Sequence, residues 1–343
     1  MRNRITSLLI SSLISLAISG AVANPAFAWG LTGHTLISRA GAASFPTFLP
    51  NFVRTDAAID EIAALGPELD RSKDAGYTHD HDLDPGHYAD IGDDGTIFGI
   101  DLTDLPKTRE AYDTALRRAG SDEYKAGYLA YSLIDGWEQV AKDFALWRVD
   151  NAGATKSPNA GDRAWFAGDR ELRETLTLRD IGIWSHYVGD ASQPLHVTVH
   201  FNGWGDYPNP NGYSESKTLH ADFESSFVRR HATYAAVIAH MTQPQISSAP
   251  IATLVGSYLA ATAAHVVPLY ELDKRGAFAN QTPEAIDFTD ARLADGASEL
   301  RDLVVDAWNA SGTINVGYPH GITPNDIDSG IAFPTRSIVG GSD

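Results

Sequence analysis

An all-α fold, a single mainly helical domain, is predicted from three observations. Apolar residues recur at three-to-four spacing along most of the 343-residue chain. Strand-like alternation is confined to short pieces such as "HYADI" and "HVTVHF". No repeat and no compositional break marks off a second domain.

The first element in order is a leader. Arg2 and Arg4 precede an apolar run from about Leu8 to Val22, and Ala26-Phe27-Ala28 follows. A basic start, an apolar middle and small residues three and one before a cut describe a secretory signal peptide, cleaved between Ala28 and Trp29. A membrane anchor is the alternative, but the run is shorter than the about 20 residues a spanning helix needs. Residues 29–317 are then expected to form the domain and residues 318–343 a tail that wraps or frays, in a secreted or periplasmic protein. No later segment reads as long and apolar enough to cross a membrane.

Helical periodicity runs through "HTLISRAGAASF", "TDAAIDEIAAL", "KTREAYDTALRRAG" and "EYKAGYLAYSLIDGWEQVAKDFALWRVD". It continues in "RELRETLTLRDIGIWSHYVGDASQ", "LHADFESSFVRRHATYAAVIAHM", "IATLVGSYLAATAAHVVPLYELDKRG" and "FTDARLADGASELRDLVVDAWNAS". Two polar stretches, "RSKDAGYTHDHDLDPG" and "NGWGDYPNPNGYSESK", read as loops, and "NAGATKSPNAGD" reads as a short linker. Asn280 and Asn309 begin glycosylation acceptor patterns, which are common by chance.

Charge and cysteine content narrow the function. Lys and Arg number 26 against 44 Asp and Glu, a formal charge of -18, and losing Arg2 and Arg4 with the leader takes it to -20. A broad electrostatic grip on nucleic acid wants a basic face, and none is visible. Phosphate recognition would have to come from a few local charges or from metal ions. With no cysteine, a bound zinc would have only nitrogen and oxygen ligands.

Such ligands recur in a pattern. In "HYVGDASQPLHV", His186 and Asp190 are four apart and share one helix face, and His196 follows a proline that should stop the helix. "LHADFE" repeats the pair with His220 and Glu224. One pair would be unremarkable as a surface ion pair of little energetic weight. Two pairs flanking a histidine and a glycine-rich loop suit zinc, which takes three or four imidazole and carboxylate ligands.

The stretch "RSKDAGYTHDHDLDPGHYADIGDDG", with Asp70 just before it, adds Asp74, His79, Asp80, His81, Asp82, Asp84 and His87. An EF-hand is rejected, because Pro85 stands where glycine is needed and Ile91 where glutamate is needed. At the cleaved N-terminus, Trp29 would offer an amine and a carbonyl that chelate a metal as a five-membered ring, with His34 close by. The plainer reading makes Trp29 the first packed residue of a helix.

"WGLTGH", the loop Asp and His, "HYVGDASQPLH" and "LHADFE" resemble the three-zinc superfamily of single-strand-specific nucleases (S-one and P-one type) and bacterial zinc-dependent phospholipases C. The resemblance runs from Trp29 to about Phe227. It implies a mainly helical domain with a trinuclear zinc cleft. One zinc would be held by Asp70, His87, His186 and Asp190, and a second by His196, His220 and Glu224. The third would take the amine and carbonyl of Trp29, His34, and Asp190 as a bridge. Asp70 is preferred as the loop ligand, with Lys73 three residues on as in the nucleases, although Asp74 lies nearer the family spacing to His87.

The implied activity is in-line hydrolysis of a phosphate ester by a water whose pKa the ions lower. Asp70 and Lys73 carry catalytic roles, Lys73 neutralising charge on the phosphate oxygens. Single-stranded nucleic acid and 3′-nucleotides are the expected substrates, with no stable protein partner. A phospholipase C is the alternative, since phospholipases end the last motif with Glu, as at Glu224, while the Trp29-to-His34 spacing is nuclease-like. A non-catalytic, metal-stabilised exported protein is the alternative of another class. Trp204, Tyr207 and Tyr213 in the second loop are candidates to stack a nucleobase, against the commoner role of local packing. His200 is expected to support the site or lie at the surface. His231, His240, His265 and His320 show no partner pattern.

Overall fold

Side-chain caps begin several of the long helices. Thr55, Thr108, Asn159 and Thr282 accept from Ala58, Ala111, Gly161 and Ala285 N–H, satisfying donors that a helix start leaves without partners. In the computed structural model, which describes residues 29–72, Gly76 and residues 83–340, the long helices are α1 (Gly30–Ala43), α2 (Asp56–Leu65), α3 (Arg109–Arg118) and α4 (Leu129–Lys156). After them come α5 (Ala160–Asp190), α6 (Ile251–Ala263), α7 (Val266–Lys274) and α8 (Pro283–Ser311). The fold is all-α: the described strands are one two-residue pair, Thr96–Ile97 against Ile100–Asp101.

Two of the three longest helices, α4 and α5, pack along each other. Gly136 and Gly153 let them close, since a Cβ at either position would overlap Trp184 or Phe166. Leu129, Leu133, Val140, Phe144, Ile181 and Val188 line the main core with Ile62, Leu300 and Val304. Against it lies α1, wedged among α2, α5 and α8. A second core joins Trp29 and Ile37 to Leu195, Phe223 and Leu293. The metal-donor residues lie at this seam.

Five segments differ from the periodicity reading. The helix expected from Glu123 breaks at Gly127, whose φ of 78° is left-handed, and where a Cβ would overlap the Tyr88 carbonyl. "NAGATKSPNAGD" is no linker beyond residues 157–159: α4 continues to Lys156 and α5 starts at Ala160. The segment from Leu219 winds as a short α-turn, a π-helix over Asp222–Phe227, an α-turn to His231, and a separate helix Tyr234–His240. "HYADI" and "HVTVHF" are not strands, yet they bond through Ala89 N–H to His196 O and Val199 N–H to Ile91 O.

The membrane reading also needs correction. Ile251–Lys274 is 24 residues long and contains an 18-residue window with a mean hydropathy of 1.4, long and apolar enough to span. Here it is split at residues 264–265 into α6 and α7, with Leu259, Leu269 and Tyr270 buried. In the tail, Ile322 and Ile327 pack on Ala145, Val149 and Phe166.

Candidate metal centre

Each donor is delivered by the end of an element or by a tight turn. His34 projects from the first turns of α1, and Asp70 lies in the 3-10 turn Leu69–Ser72. His87 ends the turn Asp84–His87, while His186 and Asp190 occupy the last turns of α5. His196 closes the turn Pro194–His196. His220 sits in the Leu219–Ala221 turn and Glu224 in the π-helix that follows, a distortion frequent at functional sites.

All eight of these side chains are buried, and their donor atoms fall into three groups: His34, Asp70 and His186; His87, His186 and Asp190; and His196, His220 and Glu224. His186 Nε2 lies 3.1 Å from His87 Nδ1 and 3.6 Å from Asp70 Oδ1. Asp190 Oδ2 lies 2.9 Å from His87 Nδ1 and 3.4 Å from His186 Nε2. Its other oxygen, Oδ1, lies 3.4 Å from His34 Nε2. The two oxygens of Asp190 thus face different imidazoles.

In the third group, Glu224 Oε2 is 3.5 Å from His196 Nε2 and 2.8 Å from His220 Nε2. For bonds of 2.0–2.1 Å, two ligands of a tetrahedral zinc stand about 3.3 Å apart. The observed separations bracket that edge.

The donor chemistry fits a cation. Glu224 Oε1 is buried and makes no hydrogen bond among the described residues, at a cost of about 1–3 kcal/mol for such a group, while His196 Nε2 and His220 Nε2 have only Glu224 Oε2 close by. His196 Nδ1 bonds the His87 carbonyl at 2.6 Å and His186 Nδ1 the Gly66 carbonyl at 2.8 Å. Each Nδ1 therefore carries the proton, and each Nε2 presents a lone pair to the group. Burial pushes Glu224 up, but His220 and His196 outweigh it and hold the carboxyl down at about 2. Burial lowers the His196 pKa, favouring the neutral ring. An ionised carboxylate and a neutral imidazole are the forms that bind a metal. These buried groups can hold a metal ion, and their nitrogen and oxygen donors are compatible with zinc.

Trp29 is fully buried in the αL region. Its Nε1 donates to Gly189 O at 2.8 Å and contacts Ser192 Oγ at 3.0 Å, anchoring the start of α1 beside Asp190. Its carbonyl accepts from Gly33 N–H at 3.0 Å, and a carbonyl has a second lone pair. Gly189 is needed for a separate reason: a Cβ there would stand 3.0 Å from His34 Nδ1.

Lys73, Asp74, His79, Asp80, His81 and Asp82 lie outside the described residues. Asp84 is in no donor group among the described residues. His200 is buried against Trp204, bonded to Trp204 O and Asp93, and stands in none of the groups. The aromatic loop is largely structural. Trp204 and Tyr213 are only 6% and 5% exposed, their rings 4.5 Å apart, and only Tyr207, 43% exposed, can meet a ligand.

Sequence reasoning missed three features. Gln193 donates to Glu224 Oε2 at 3.2 Å while accepting from Leu195 N–H at 2.6 Å. The Gly66 carbonyl orients His186. A cleft of about 380 Å³ runs from Trp29 and Asp70 to Arg71 and Arg229. Gln193 does sit inside "DASQPLH", but only the approach of Glu224 gives it a role. Gln193→Ala is expected to weaken zinc at the Glu224 group by about 10–100-fold, as outer-shell changes do. Titration against a competing chelator measures it, with the remaining metal unaffected.

No family model matches this chain, and no curated protein matches it.

Proposed function

We propose that the chain is an exported zinc-dependent phosphoesterase that hydrolyses phosphodiester bonds in single-stranded nucleic acid and 3′-nucleotides. The observation that carries this reading is Asp190, whose two oxygens face His87 and His186 on one side and His34 on the other. A structural zinc is closed by its own four protein ligands, whereas a shared carboxylate joins neighbouring ions.

Asp70, His87, His186 and Asp190 would hold one ion; Trp29 (through its backbone), His34 and Asp190 a second; His196, His220 and Glu224 a third. When bound, the ions supply an activated water and Lewis-acid stabilisation of charge at phosphorus. The chain's own residues orient and neutralise. Gly66 O and His87 O fix the imidazole tautomers. Arg229, lining the cleft that reaches Asp70, brings positive charge to it in a chain of net charge -18, and Arg71, paired with Glu68 at 2.9 Å, lies beside it, so that a phosphate is favoured there. Lys73 would add to this charge.

Glu224 favours a second reading, a phospholipase C, because a glutamate closes this motif in the phospholipases that the sequence resembles. A panel of single-stranded DNA, RNA, a 3′-nucleotide and phosphatidylcholine, each with and without chelator, separates the readings. Chelator-sensitive turnover of the first three is expected. Turnover of the lipid alone would favour the phospholipase, and none on any substrate a non-catalytic metal protein. Metal analysis of protein beginning at Trp29 should find about three zinc ions per chain, as the resemblance implies; one or none after reconstitution would overturn the model.

A further inference from the structure

The cleft beside the metal centre is continuous with the donors of every group. Trp29 and Asp70 line it, and so does Ser225, which follows Glu224 directly in the chain. Whatever a substrate carries next to its reacting phosphate therefore has this cleft beside it.

The charges in the lining are unequal. Asp70 is its one carboxylate, and it is a proposed metal ligand. Arg71 is compensated by Glu68 at 2.9 Å. Arg229 is exposed and makes no ion pair and no hydrogen bond among the described residues. Its place is nonetheless fixed, because it sits in the turn Val228–His231 directly after Val228, which is fully buried. Acidic residues outnumber basic ones 44 to 26 in this chain, so an uncompensated arginine beside the metal centre points to an anion from outside.

Two hydroxyls share the cleft with it. Ser225 stands four residues before Arg229, and Thr32 comes from the first turn of α1. Beside Ser225 the wall is bare backbone. Gly30 has a φ of 50°, and a Cβ there would stand 3.2 Å from Ser225 Oγ, so no side chain intrudes.

We propose that Arg229 is a specificity-determining residue that binds a second phosphate of the substrate, neighbouring the one being hydrolysed. The inference rests on the phosphoesterase reading above and deepens it. Strands and nucleoside 3′,5′-bisphosphates are preferred over esters that carry a single phosphate. A guanidinium suits the task, since its planar fork binds phosphate oxygens in pairs and stays charged at any working pH. The Thr32 and Ser225 hydroxyls are donors for the remaining oxygens. The same lining disfavours a choline headgroup, because a quaternary ammonium would meet a guanidinium and no uncommitted carboxylate.

Two non-hydrolysable probes isolate the contribution: a nucleoside 3′-phosphonate, and the same compound with an added 5′-phosphate. Calorimetric titration of the zinc-loaded protein beginning at Trp29 is expected to show the 5′-phosphate tightening binding at least about tenfold, the scale of one charge-assisted contact. In Arg229→Gln that gain should fall below about twofold at unchanged zinc content, and Arg229→Lys should restore part of it. Arg230→Gln removes a neighbouring charge that is not in the cleft lining, and should keep the whole gain. A gain absent from the parent, persisting in Arg229→Gln, or lost equally in Arg230→Gln would overturn the assignment. Because the readout is binding, the two readings fail separately. A zinc protein that hydrolyses nothing can still show the Arg229-dependent gain, and an active phosphoesterase can lack it.

Discussion

Asp190→Ala is expected to lower phosphodiester turnover by more than about 100-fold, beyond the range usual for outer-shell residues, and to exceed the loss in Glu224→Ala. Asp190 is fully buried and faces His34, His87 and His186 together; Glu224 faces only His196 and His220. Removing the first leaves three imidazoles converging with Asp70 as their one carboxylate, so two ions should loosen at once. Removing the second should release one ion and leave the Asp190 pair in place. Kinetics on one phosphodiester, with zinc counted in each variant, gives the comparison. A mild Asp190 effect would show that the two groups act independently.

A chain that begins at Met-Trp29 should lose one zinc and most of its turnover relative to a chain that begins at Trp29, while remaining folded. The added residue converts the terminal amine to an amide nitrogen, which is a poor metal ligand, and breaks the chelate ring. Trp29 cannot slide to compensate. Its indole is pinned to Gly189 O at 2.8 Å and packed 5.5 Å from the Phe223 ring, and Gly33 allows no shift, because even a Cβ there would stand 2.7 Å from Trp29 Cβ. Circular dichroism, metal count and a phosphodiesterase assay on the two chains decide the matter. Equal zinc and equal rates would make Trp29 an ordinary packed residue.

What the sequence made legible was set by local spacing. Helical periodicity located most of the long elements, because α1, α2, α4, α5 and α8 each bury a face. The pairs His186/Asp190 and His220/Glu224 stood out because four residues on a helix bring side chains together without any knowledge of the rest of the chain. The failures depend on distant partners. "NAGATK" looked like a linker because small residues are common in loops, but Ala152, Gly153 and Ala154 are small so that α5 can approach through Phe166 and Trp165. Trp204 and Tyr213 sat in a polar, proline-rich stretch, and their burial against Tyr270 comes from a helix more than 50 residues later. Gln193 supports Glu224 across a separation of 31 residues, which no local pattern encodes.

The order of the donors along the chain has a consequence for durability. His34 and Asp190 stand 156 residues apart along the chain, and His196 and Glu224 close a shorter arc of 28. An ion gripping such residues acts as a reversible cross-link, removing loop entropy from the unfolded chain in the way a disulfide would. This chain has no cysteine, so in the exported, zinc-loaded protein proposed above ion exchange would take over the part that thiol chemistry plays elsewhere. If the chain is exported and zinc-loaded as proposed, its lifetime would be governed by how fast the ions leave, and by the zinc activity and chelators around it rather than by redox conditions.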